Sequence, residues 1–224
     1  MTRKALAAAS LLLAASMAVL GVLVALRVPA DLQLPIHWSL GGVPDRFASK
    51  WVALFLPPAV TAAVAAFFWF LPALEPRERN LERSQGLYVA GWAALLVLMV
   101  AVEAMTLSAA LHWGLRVFGI MTGGVGLTFI LIGNQLGKSR SMYLVGIRTP
   151  WTLASEEVWI KTHRLGGKLM VAAGALLVLA AVLPLPSGLL ATSFAGAIAL
   201  VVGAPVIYSY LLWRRERPLA QSSE

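Results

Sequence analysis

The feature that most limits how this chain can fold is a series of six apolar runs separated by short polar connections. About 20 consecutive apolar residues, wound as a helix, cross the hydrocarbon core of a bilayer. Within lipid every backbone N–H and C=O must be satisfied internally, which leaves helices and closed barrels as the only spanning structures. The runs are Ala5 to Leu26, Trp51 to Leu74, Gly86 to Leu111, Gly114 to Leu136, Leu165 to Leu185 and Leu189 to Trp213. They predict an all-α polytopic membrane protein with six transmembrane helices. Residues 1–224 read as a single membrane domain, without internal repeat or linker. The first run follows Arg3 and Lys4 as a secretory signal would. Its length exceeds the roughly 7–15 apolar residues of such a signal, so it reads as a retained span.

Composition narrows the class further. With 59% apolar residues and a mean hydropathy of +0.81, the chain is not a soluble globular protein. The net charge of +8 reads as the flanking charge that orients membrane helices rather than as a direct nucleic-acid footprint. The absence of cysteine excludes disulfides, thiolate metal sites and cysteine nucleophiles. Fourteen of the 18 basic residues fall at the two termini, in the connector Glu75 to Gln85 and around Gly146 to Lys168. Only Arg27, Arg46, Lys50 and Arg116 fall on the other side. This asymmetry predicts that both termini and the Gly146 to Lys168 segment are cytoplasmic.

That segment, GIRTPWTLASEEVWIKTHRLGGK, is a polar island in an apolar sequence. Pro150 lacks an amide hydrogen and biases Thr149 towards extended backbone, so Arg148 to Trp151 is expected to be a turn. Ser155 suits an N-cap, and Glu156 and Glu157 then sit in a first helical turn, where the helix dipole favours acid. Glu157 and Lys161 stand in the favourable i,i+4 order. A short interfacial helix is therefore expected, running through Gly166 and Gly167 into the fifth span. Its tryptophans, Trp151 and Trp159, suit a headgroup level with the indole N–H wet, and Trp51, Trp69, Trp113 and Trp213 read as interface anchors.

Three further features invite chemistry. The loop from Arg27 to Lys50 carries His37, Trp38, Asp45 and Arg46 among the turn formers Pro35, Gly41, Gly42 and Pro44. His37 is expected to hydrogen-bond within this outward loop, on the opposite side of the membrane from His163. Glu103 is the one acid inside a span and lies about 8 Å from the middle of its helix. An intramembrane acid is a functional candidate for proton or ion movement, set against a structural pair with Arg116, Arg27 or a polar neighbour. Gly119 and Gly123, four apart, and the polar end Gly133-Asn134-Gln135 mark the fourth span; small residues at that spacing predict close helix packing. Glu156 and Glu157 point about 100° apart on a helix and no HExxH spacing occurs, so neither a metal site nor a hydrolytic centre is expected.

Gly133-Asn134, Gly146-Ile147-Arg148-Thr149-Pro150-Trp151-Thr152-Leu153, Glu156-Glu157-Val158-Trp159, Lys161-Thr162-His163-Arg164 and Gly166-Gly167-Lys168 resemble the signature of the SdpI family. Its members are bacterial membrane proteins named for an immunity protein against a secreted killing peptide. Leu34-Pro35-Ile36-His37-Trp38, Gly41 and Pro44-Asp45 resemble a short domain of unknown function that often precedes it. One departure is that Gly137 and Ser141-Met142 stand where a proline and an asparagine are expected. On this resemblance residues 27–74 carry the short domain and 133–213 the SdpI-like region.

The resemblance implies a non-enzymatic, cofactor-free multi-pass protein of the bacterial cytoplasmic membrane. Its partners would be the lipid bilayer, a secreted peptide toxin and, for signal transduction, a cytoplasmic repressor protein. Arg148, Thr149, Pro150, Trp151, Thr152, Glu156, Glu157, Trp159, Lys161, His163 and Arg164 would form the partner-binding surface; the competing reading is a self-contained ion-pair network that fixes the loop. On the first reading, Arg148→Ala or His163→Ala is expected to abolish activity at normal membrane levels. The alternative function is a small transporter or channel using Glu103, with Asn134 as a second intramembrane polar residue.

Overall fold

The computed structural model describes residues 2–39 and 42–221, with side chains placed up to 216. Gly41, read above as a turn former, and the side chain of Arg217, counted among the orienting charges, lie outside the described residues. In chain order the elements are α1 (Arg3–Ala25), β1 (Gln33–Trp38), β2 (Pro44–Ser49), α2 (Lys50–Leu74), α3 (Glu78–Arg83), α4 (Gln85–Leu111), α5 (Val117–Leu136), α6 (Pro150–Ala154), α7 (Glu156–Val182) and α8 (Ser187–Gln221). Six of them, α1, α2, α4, α5, α7 and α8, are long and apolar enough to cross a membrane. The six-span, all-α architecture expected from the sequence is the one observed.

The most extensive helix contact joins α5 to α7, and it is set by glycine. A Cβ at Gly126 would lie 2.8 Å from the Gly174 carbonyl, and one at Gly174 would lie 2.5 Å from the Gly126 carbonyl. Seven residues along each helix, Gly133 and Gly167 repeat the arrangement at 2.8 and 2.6 Å. Seven-residue spacing keeps one face of each helix in register with its neighbour, and glycine lets the two backbones touch. Gly119 and Gly123, singled out for their four-residue spacing, do pack on α7, against Ala181. They form the far end of a longer seam.

On the other side of α5, Gly124 faces Ala101 of α4, and the Thr128 hydroxyl donates to the Ala94 carbonyl at 3.2 Å. A second group of helices, α1, α2 and α4, closes around Phe68, Tyr88 and Trp92, whose rings meet at 5.4 to 5.9 Å. The Trp92 indole N–H donates to Ser10 of α1 at 3.0 Å. α2 remains helical through Pro57, Pro58 and Pro72. A proline frees the carbonyl four residues before it; the one freed by Pro72, on Phe68, accepts the Tyr88 hydroxyl at 2.6 Å.

Three local expectations change. The Arg27 to Lys50 loop is not only turns: β1 and β2 pair antiparallel, with irregular register around Ile36. Thr149 is extended, as expected before a proline, but Pro150 and Trp151 open α6 rather than complete a turn, since proline is tolerated in a first helical turn, where its missing N–H has no helical partner to lose. The connector Glu75 to Gln85 contains a helix of its own, α3. The interfacial helix that was to lead into the fifth span is continuous with it, as α7.

Gly174→Ala should force the α5–α7 seam apart and cost about 1–3 kcal/mol, as overpacking does. Gly196→Ala on α8, where a Cβ meets nothing within 4 Å, should be neutral or stabilising. Thermal unfolding of both variants in detergent checks the contrast.

Candidate functional site: the loop that closes one end of the bundle

The polar island folds into a cap joined to the loop after α5, and its chemistry is mostly internal. His163 is fully buried on α7 and its ring stacks on Trp159, with centroids 3.8 Å apart and planes 17° apart. The Ile147 N–H donates to His163 Nε2 at 2.8 Å. Nε2 is therefore the unprotonated nitrogen, and Nδ1 carries the hydrogen that it directs to the Trp159 carbonyl at 2.8 Å. This is a neutral imidazole with both nitrogens used. Gly146, at φ +120°, passes directly over it: a Cβ there would lie 2.7 Å from both Nε2 and the Trp159 ring. Only glycine fits this position.

The helix starts are locked as firmly. Thr149 caps α6: its hydroxyl accepts the Thr152 N–H at 3.1 Å, while Thr152 Oγ1 accepts the Thr149 N–H at 2.9 Å. Thr152 Oγ1 in turn donates to the Ile147 carbonyl at 2.8 Å, and Thr149 Oγ1 lies 3.1 Å from Ser209 Oγ of α8. Ser155 caps α7 by accepting the Val158 N–H at 3.2 Å, as its sequence position predicts. Trp159 is not wet: it is buried, and its indole N–H donates to the Ser139 carbonyl at 3.2 Å. Trp151 packs beside Tyr210 and Trp213 of α8.

The decisive group for the other half of the loop was not among the candidates. Glu75, buried at the end of α2, accepts the Leu144 N–H at 2.7 Å, the Tyr143 N–H at 3.0 Å and the Arg77 N–H at 3.1 Å. Arg77 also donates to the Ser141 hydroxyl, and Asn80 donates to the Ser141 carbonyl at 2.9 Å. A carboxylate that accepts backbone N–H groups makes charge-assisted bonds of about twice ordinary strength. The sequence signal for Glu75, a lone acid just after an apolar span, is too common to be read alone.

What remains exposed is a charged rim. Arg148 reaches back to the Tyr143 carbonyl at 2.6 Å, and its exposed guanidinium is otherwise open to solvent. Glu157 pairs with Lys161, as expected. Glu156 stands 3.9 Å from Arg140, and Arg164 is exposed. Exposed pairs of this kind contribute little each, so the loop is held by buried hydrogen bonds rather than by an ion-pair network. Pro150 and the charged residues face outward, whereas Thr149, Thr152, Trp159 and His163 are structural interior. Asn134 is exposed near the end of α5.

The other candidates lie apart. His37 and Asp45 pair within the hairpin, Nδ1 to Oδ1 at 2.6 Å; this is the local role expected for His37. Arg46 is exposed beside them and Trp38 is half-buried. The hairpin packs on α2 and on the end of α4, the opposite end of the bundle from His163. Glu103 is buried, yet neither carboxylate oxygen has a hydrogen-bond partner among the described residues. Arg116, one expected partner, instead donates to the Leu183 carbonyl at 2.7 Å.

Fold and site together define a multi-pass helical membrane protein whose one end is sealed by a hydrogen-bonded polar cap. Residues 138–209 match the SdpI/YfhL protein family, and residues 12–62 match a domain of unknown function, DUF1648. The chain is 29% identical over 142 residues to the Immunity protein SdpI of Bacillus subtilis (strain 168), an alignment covering 63% of this chain and 66% of that protein. It thus spans just under two thirds of that relative's length. No solved structure matches. The signature seen in the sequence and the cap seen in the fold are the same segment of the matched family region.

Burial revises the expectation for His163. His163→Ala leaves the Ile147 N–H without its acceptor and opens a void, together about 2–4 kcal/mol. Lower thermal stability and lower membrane abundance than wild type are expected, while Arg148→Ala should retain both. Fluorescence-detected size exclusion and thermal unfolding check this.

Proposed function

We propose that this chain is a membrane immunity protein that protects the cell expressing it from a secreted peptide toxin. The observation that carries the reading is the similarity to Immunity protein SdpI, together with the family match over residues 138–209, within which the capped loop lies. The basic asymmetry of the sequence supports placing the cap in the cytoplasm. In the fold, Arg77 reaches the loop itself and Arg3 lies over Trp69 near the same end. The hairpin then faces outward, where Val43 at its turn and Phe47 on β2 are 63% and 57% exposed; these apolar side chains belong to the surface a toxin would meet first. Signalling to a cytoplasmic repressor would use the exposed rim, Arg148, Glu156, Glu157, Lys161 and Arg164, because the buried part of the signature offers no surface.

Survival of a peptide-toxin-sensitive bacterium expressing the protein tests this. Wild type should protect, and Arg148→Ala should lose protection at unchanged membrane level. No protection by well-expressed wild type would refute the immunity reading.

A second reading, a small transporter or channel, rests on Glu103, because a buried carboxylate without a protein partner is costly in a membrane helix unless it serves a purpose. It expects a proton or ion flux in proteoliposomes that Glu103→Gln removes. A flux that survives the substitution sinks it.

A further inference from the structure

We propose that the groove between the end of α5 and the first half of α7 holds the headgroup of an anionic phospholipid. The groove has a volume of about 450 Å³, and its polar lining is Asn134, Lys138, Arg164 and Lys168. Its floor is nearly bare backbone, since Gly133, Gly137 and Gly167 lie there; a Cβ on Gly137 would sit 3.2 Å from Arg164 Cα. Its far end is apolar, Val171 and Ala172.

The charge is uncompensated. Lys138, Arg164 and Lys168 are all exposed, and among the described residues none has a carboxylate within 4.0 Å, the acids nearby being engaged as Glu156–Arg140 and Glu157–Lys161. Arg164 and Lys168 are four apart on one helix and so share a face, and Lys138 follows Gly137, the C-cap of α5. The α5 carbonyls that point this way are partly satisfied: Lys138 N–H donates to Gln135 at 3.0 Å, and Ser139 N–H and Oγ donate to Leu136 at 3.2 and 2.8 Å.

Position selects the ligand. Beyond Lys168 no charged residue occurs in α7, and none occurs in α5 before Lys138. The groove therefore straddles the boundary between headgroups and hydrocarbon. Basic side chains at that level reach up to phosphate while their stems lie against apolar surface. A phosphodiester placed among the three cations would leave its glycerol over the glycines and its acyl chain along Val171 and Ala172. A soluble anion would use only the upper half. Basic pockets between helices at this depth suit anionic headgroups, and such a site requires only membrane insertion, not immunity.

The test uses the full-length purified protein in phosphatidylcholine nanodiscs doped with a photoreactive phosphatidylglycerol or a photoreactive phosphatidylcholine. Phosphatidylglycerol should cross-link to peptides covering 133–138 and 164–172 and should outcompete phosphatidylcholine. Lys138→Gln, Arg164→Gln and Lys168→Gln combined should lower its retention about tenfold or more. Lys4→Gln, Arg79→Gln and Arg83→Gln combined, which remove equal charge elsewhere, should not. Equal labelling by the two lipids, cross-links mapping elsewhere, or displacement by glycerol 3-phosphate at matched concentration each overturns the proposal. Should the triple variant fail to fold, the wild-type cross-link map alone decides.

Discussion

Contact between bare backbones along α5 and α7 is the constraint on which the rest depends. In lipid, helices gain little from excluding water, so association rests on close packing and hydrogen bonds. The paired glycines at 126 and 174, and at 133 and 167, bring the two helices closer than any side chain would permit. That approach fixes where α7 begins relative to the end of α5, and hence the room left for residues 137–149. The cap is shaped by this space: Gly137 meets Arg164, and Gly166 meets Ile147 of the returning loop. Lengthening the glycines would move the floor on which the polar cap is built.

Within that space the loop solves an accounting problem. A segment folded back onto helix ends buries backbone groups that have no ladder to join, and each must find a partner. Here side chains supply them: Glu75 takes two N–H groups of the loop, His163 takes one, and Thr149 and Thr152 exchange theirs. The density of polar residues in this segment is therefore an interior lining more than an exposed reading surface. Chemistry available to a partner is confined to the charged rim.

The sequence made the spans legible because their lengths are dictated by bilayer thickness, and it made Ser155 legible because a cap needs only its immediate neighbours. The pairing of His37 with Asp45 was equally local. Glu75 was not legible: its partners lie 68 and 69 residues away, and neither is a side chain. The glycine seam is not legible because spacing by seven is diluted among the many other glycines, while the four-residue pair Gly119 and Gly123 stands out. The hairpin was obscured by Pro35 and Pro44, which read as turns but sit at strand positions that a two-stranded ribbon tolerates. His163 is expected on a partner-binding surface because its neighbours in sequence are charged; its neighbours in space are a tryptophan ring and backbone.

Lys50 has a mechanical consequence. It is buried, with its ammonium on the Ala25 and Val28 carbonyls at 2.7 and 3.0 Å and its own N–H on the Leu32 carbonyl at 3.0 Å. β2 ends at Ser49 and α2 starts at Lys50, so no linker separates ribbon from helix. The ribbon, the end of α1 and the start of α2 are thus clasped at one residue and turn as one rigid piece. A displacement of the ribbon is therefore passed straight to the start of α2 rather than absorbed by a slack loop, and the far end of that helix is Glu75.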